Sequence, residues 1–117
     1  QELVQSKLTV FIIGWAPDFP DPHNFVTPFM HSGGTFSGFQ NYSNEEVDSL
    51  IDEGITSTDP ETRREIYYQL QEIYHDEVIS FPLCEPMPQR YHRDWVKGWF
   101  HNPMFPSSIY AYPLSKE

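Results

Sequence analysis

One cysteine, Cys84, stands in 117 residues, so the chain forms no internal disulfide. That count does not separate the cytosol from an oxidising compartment. Basic residues are scarce as well: seven Lys and Arg face 17 Asp and Glu, for a formal charge of -10. A field of that sign repels nucleic acid and anionic membranes and favours a cationic partner. No apolar run approaches the roughly 20 residues of a membrane span, and no charged stretch followed by an apolar one marks a signal peptide. Neither a Gly-rich phosphate loop nor a Ser/His/Asp signature is present. Hydrophobic residues reach only 38%, below the usual share of about 45–50%.

What the chain does carry is rings and prolines: aromatics make up 16%, and there are 11 Pro. Loops and stacking surfaces follow. The length suits one small domain with a modest core. Beginning on Gln1 without a Met and meeting an apolar segment at once, the sequence reads as a processed or excised piece of something longer.

"KLTVFIIGW", Lys7 to Trp15, is β-branched and aromatic and predicts a strand covered on both faces. It leads into "APDFPDPHNF", where Asp21 is placed to cap a short helix and Pro22 to open it, with Phe25, Phe29 and Met30 on helical spacing. Pro28 and the Gly33-Gly34 pair keep that helix short. "TFSGFQNY" reads as a polar, aromatic loop. Ser43 and Glu46 match a capping box ahead of a helix with Val47, Leu50, Ile51 and Ile55 on one face. Asp59 and Pro60 then start the longest helix, striped by Ile66, Tyr67, Leu70, Ile73 and Tyr74. "VISFPLCEP", Val78 to Pro86, predicts a second strand, on an edge or with a bulge because of Pro82. The Pro-rich, aromatic remainder offers short strand candidates only at Trp95 to Trp99 and Ile109 to Tyr112. The expected class is therefore α/β or α+β: strand, three helices, strand, irregular tail.

Three chemistries compete for the loop. Asp18 and Asp21 invite a carboxylate-pair hydrolase, but carboxylates three apart in a loop have no fixed separation, and Asp21 before Pro22 is explained as a helix cap. His23, His31, His75, His92 and His101 invite a metal, yet none forms a recognised ligand pair and no metal site is assigned. Arg63 and Arg64 are explained as helix support through spacings such as Glu61 to Arg64, so no phosphate site is inferred. Trp15 and Asp18 fit the third chemistry, a binding cleft. A carboxylate near apolar rings accepts a cation well, and the ring covers the aliphatic part of the same ligand. The bland alternative makes Trp15 a core ring and Asp18 a turn former.

The order of "GWAPDFPDPHNF", "NEEVDSLIDEGITSTDPETRREIYYQLQEIYHDEVISFPL" and "VKGW" resembles the C-terminal part of the family 5 extracellular solute-binding proteins. These are the dipeptide- and oligopeptide-binding components of ABC transporters. The resemblance implies part of a two-lobed, type II periplasmic-binding-protein-like receptor, periplasmic or attached at the cell surface. Residues 1–86 would belong to the second lobe, and residues 87–117 to a tail returning toward the first. It implies a peptide or other small solute as ligand, an ABC permease as partner, no nucleic acid, no cofactor and no enzymatic step. By the motif, Asp18 receives the ligand's ammonium and Trp15 lines the cleft, while Asp21 and Pro22 shape the loop and start the helix. Oligosaccharides, opines, haem and nickel complexes are ligands elsewhere in the family. Cys84 and Glu85 depart from the apolar strand exit common in it. Surfaces left by missing parts also lead us to expect self-association, which light scattering would register.

Overall fold

The computed structural model describes residues 2–3, 5–8, 10–85, 89–102 and 109–117. It is a mixture of helix and one small sheet, in two compact units, Gln1–Phe81 and Pro82–Glu117.

Among the described residues, four helices build the first unit: α1 (His23–Met30), α2 (Thr35–Gln40), α3 (Glu45–Thr56) and α4 (Pro60–Glu77). α4 follows its sequence signals closely. The Asp59 carboxylate accepts the Thr62 N–H at 2.8 Å, Pro60 opens the helix, and Ile66, Tyr67 and Leu70 are buried one turn apart. α3 is capped differently from the Ser43/Glu46 box expected. Asn44 is the cap, its Oδ1 accepting the Glu46 N–H at 3.0 Å, and Glu45, Glu46 and Asp48 complement the positive helix end. Asn44 Nδ2 also donates to Glu77 Oε1 at 3.0 Å, and the Tyr42 hydroxyl donates to Glu77 Oε2 at 2.5 Å, tying the end of α4 to the start of α3. Val47 and Ile51 of α3 meet Ile66, Tyr67 and Leu70 of α4, with Val26 and Met30 of α1 closing the core. Gly54 lets α4 come close, since a Cβ there would lie 3.2 Å from the Tyr67 ring.

"TFSGFQNY" is not a loop. Its first six residues form α2, the fourth helix where three were expected, and bury Phe36 and Ser37. Ile55, placed on the α3 stripe, is 53% exposed, because the buried face continues from Ile51 through Gly54, which meets Ile66 and Tyr67, and Ile55 lies beside it.

Both long strand expectations are corrected. Among the described residues of Lys7 to Trp15 there is no strand, and Val10 and Ile12 are each 81% exposed. An apolar, β-branched run makes a strand only beside another, and no described residue pairs with it. Val78 ends α4 in the left-handed region at φ 50°, and residues 79–85 are irregular, with Phe81 exposed. Pro86, the last residue of that expected strand, and the boundary at 86/87 lie outside the described residues.

The second unit holds β1 (Val96–Lys97) and β2 (Ser115–Lys116), antiparallel, with Val96 opposite Lys116 and Lys97 opposite Ser115. β1 falls inside the expected Trp95 to Trp99 segment, whereas β2 lies beyond Ile109 to Tyr112, which is not strand. Gly98, at φ 81°, allows the approach: a Cβ would sit 1.9 Å from the Pro113 carbonyl oxygen. The Lys116 ammonium rests over the Trp95 ring, 4.9 Å from its centre.

Candidate functional site

The loop that follows the apolar run is seated on α1 and α2 by rings. Trp15 meets Phe36 edge-on at 5.5 Å between centres and Phe29 at 6.2 Å, while Phe11 meets Phe39 at 6.3 Å. Phe29 and Phe36 lie 4.6 Å apart and form the floor beneath Trp15. The indole N–H of Trp15 donates to the Asn24 carbonyl at 3.0 Å. The residue as a whole stays 38% exposed, so Trp15 is neither a sealed core residue nor a free surface one.

The two carboxylates of the loop have separate surroundings. Asp21 is half-buried and accepts the His23 backbone N–H at 2.9 Å, which makes it a capping group although Pro22, not Asp21, immediately precedes the helix. Its two oxygens also receive Arg63 Nη2 at 2.9 and 3.0 Å. Burial pushes the Asp21 carboxyl up, but the His23 N–H and the Arg63 guanidinium outweigh it and hold the group below its ordinary value of 3.8. Asp18 is exposed. Its backbone N–H donates to Asn24 Oδ1 at 2.9 Å, and among the described residues its carboxylate has no hydrogen-bond or ion-pair partner. It is free to accept a cation.

Arg63 and Asn24 are the residues that sequence reasoning missed. Arg63 was assigned to helix support; Arg64 does pair with Glu61 in that way, one turn apart. Arg63 instead reaches Asp21, donates from Nε to the Gly54 carbonyl at 2.9 Å, and lies over the Tyr67 ring at 5.3 Å. One guanidinium thus joins the loop, the end of α3 and the face of α4. Its partner stands 42 residues away, a distance no local pattern reports. For Asn24 there was a signal, an amide in the first turn of a helix immediately after a Pro-rich loop, where side-chain oxygens bond nearby main chain.

Of the histidines, His23 carries a lowered pKa: burial disfavours its cation, Asp21 opposes that shift, and Arg63 and His31 add to it. His31 lies 3.9 Å from Asp48 and 3.7 Å from Asp52. No group of three or more metal-ligating side chains occurs among the described residues.

The Asp21 shift has a testable sign. A carboxyl whose folded pKa is depressed contributes stability above its unfolded value, and that contribution is lost as the pH falls through the folded one. The gap in thermal midpoint between the wild type and Asp21→Asn is therefore expected to be full at pH 7 and to close as the pH drops below 3.8. Circular dichroism melts across that range would read it, and a gap constant down to pH 2 would contradict the pairing.

Comparison with known proteins adds the class. Probable di/tripeptide-binding protein 5 of Pseudomonas aeruginosa is 33% identical over 96 residues, 80% of this chain and 18% of the relative. Heme-binding protein A of Haemophilus influenzae is 31% identical over 108 residues, 92% of this chain and 20% of the relative. A probable D,D-dipeptide-binding periplasmic protein of Escherichia coli is 31% identical over 109 residues, 92% of this chain and 21% of the relative. No family model and no solved structure matches the chain. Solute-binding proteins are thus the class to which the shared stretch points. Within that class the chain belongs to the family 5 extracellular solute-binding proteins, of whose curated members it spans about a fifth.

Proposed function

We propose that this chain is the C-terminal portion of a two-lobed, periplasmic or cell-surface receptor that delivers peptides to an ABC permease. Residues 1–86 belong to its second lobe, and residues 87–117 return toward the first. The peptide ammonium is received by Asp18, and the Trp15 ring covers the adjoining aliphatic part of the ligand. Asp21 and Pro22 hold the loop and start α1. Closure of the two lobes around the ligand favours the closed receptor, the form a permease recognises, and no bond is made or broken in the ligand.

The observation that carries this reading is the contrast between the two carboxylates. Asp21 is engaged by Arg63 and His23, whereas Asp18 keeps its oxygens free in the same loop, in a chain similar to a di/tripeptide-binding relative. Burying Asp18 against a ligand ammonium strengthens the pair, because a hydrogen bond to a charged group contributes about 1.5–3 kcal/mol. In a full-length receptor carrying this segment, Asp18→Asn is thus expected to weaken binding of a free-amine peptide by at least about tenfold. Asp21→Asn, whose charge faces Arg63, is expected to weaken it far less. Calorimetry showing equal losses for the two variants would defeat the assignment.

A second reading, an amphipathic ring ligand such as haem, draws on the likeness to Heme-binding protein A over 92% of the chain and on the Trp15, Phe29 and Phe36 rings. Such binding would survive Asp18→Asn and fall with Trp15→Ala, which separates it from the peptide reading.

A further inference from the structure

Asn24 meets the loop with two different oxygens. Its backbone carbonyl accepts the Trp15 indole N–H at 3.0 Å, and its side-chain Oδ1 accepts the Asp18 backbone N–H at 2.9 Å. The residue sits in the first turn of α1, whose Val26 and Met30 are buried in the core. Between Trp15 and Asp21 the loop has no strand pairing, and its exposed residues leave the main chain few other anchors. A carboxylate on such a loop is presented at a fixed place only if the main chain beneath it is fixed.

We infer that Asn24 is a positioning residue for ligand recognition: it ties the Asp18 main chain and the Trp15 ring to one rigid helix turn, so that carboxylate and ring are presented together. This rests on the reading of Asp18 as the ammonium acceptor. The two bonds are chemically separable, since Asn24→Ala deletes the one to Asp18 and keeps the carbonyl that holds Trp15. Alanine also suits a helix's first turn, so the fold is retained. Asn24→Asp preserves an acceptor oxygen where Oδ1 stands and serves as the rescue variant.

The test is a double-mutant cycle in the full-length receptor, titrated calorimetrically with trialanine and with N-acetyl-trialanine. Asn24→Ala is expected to weaken trialanine binding by roughly five- to tenfold, the scale of one lost hydrogen bond. Asn24→Asp is expected to restore most of that affinity. The N-acetylated peptide, which lacks the ammonium, is expected to be indifferent to Asn24→Ala, and Asn24→Ala is expected to cost nothing further once Asp18→Asn is in place. If Asp18→Asn is harmless, the ammonium reading falls and Asn24 falls with it. If Asp18→Asn costs affinity while Asn24→Ala costs none, or costs the same in both backgrounds, the positioning role alone is overturned. Should Asn24→Ala not fold, Asn24→Gln, which shifts the amide oxygen by one methylene, runs through the same cycle with the same loss expected.

Discussion

Truncating Leu70 to alanine is expected to lower the stability of the helical unit by about 3 kcal/mol, within the range of about 2–5 kcal/mol for a buried leucine. Leu70 is 0% exposed and shares its cluster with Val26 and Met30 of α1, Val47 and Ile51 of α3, and Ile66 and Tyr67 of its own helix. Removing its isobutyl end takes apolar surface out of the core and leaves a cavity lined by three helices. A unit of this size holds only about 5–10 kcal/mol in all, so the loss is a large fraction of it. On thermal melting it corresponds to a midpoint lowered by roughly 12–24 °C. Ile55→Ala, at a position that is 53% exposed, is the matched control and is expected to shift the midpoint by only a few degrees. A Leu70 variant that melts with the Ile55 variant would show that the inner face of α4 is not the centre of the core.

The contrast between Leu70 and Ile55 also marks how far the sequence could be read. α4 was legible because its cap, its opening proline and its apolar stripe all state the same answer over 18 residues. α3 was legible in type, but the last position of its stripe was misplaced, since the buried face ends on Gly54, a residue without a side chain that hydrophobic periodicity does not register. The strand expectations failed for a deeper reason. "KLTVFIIGW" and "VISFPLC" have strand composition, but a strand is a property of two segments, and no described residue pairs with either. In the loop, the sequence marks Trp15, Asp18, Asp21 and Pro22 as candidates, and the structure shows Asp21 engaged by His23 and Arg63 while Asp18 stays exposed. Arg63, which separates the roles of the two aspartates, could not, because its ion pair closes a gap of 42 residues. Local chemistry was readable, whereas the partner was a product of folding.

Gly34→Ala is expected to cost the same unit about 2–3 kcal/mol, the upper part of the range for overpacking. The backbone at Gly34 is ordinary, at φ -74° and ψ 154°, so the cost is steric and not conformational. An added Cβ would lie 2.3 Å from the Thr27 carbonyl oxygen, 2.9 Å from that of His31 and 2.7 Å from Ser37 Oγ. Two of these atoms are main chain. The third cannot swing aside: Ser37 is fully buried, and its hydroxyl donates to the His31 and Gly34 carbonyls that close the turn. The sequence marked Gly33 and Gly34 alike as a helix stop, but at Gly33 a Cβ meets only the movable His31 ring, at 3.2 Å. Gly38, inside α2 with nothing within 4 Å of its Cβ position, is the counter-case, and Gly38→Ala is expected to stabilise by about 0.5–1 kcal/mol. Two glycine-to-alanine changes four residues apart should therefore move the melting midpoint in opposite directions. Shifts of the same sign would refute the packing of the α1–α2 turn. That turn matters beyond stability, because α2 carries Phe36, the ring 5.5 Å from Trp15. Forcing α2 away from Thr27 moves the floor on which the Trp15 indole rests, so on the proposed reading of Trp15 as a ligand contact Gly34→Ala is expected to weaken ligand binding in the full-length receptor even where the protein remains folded.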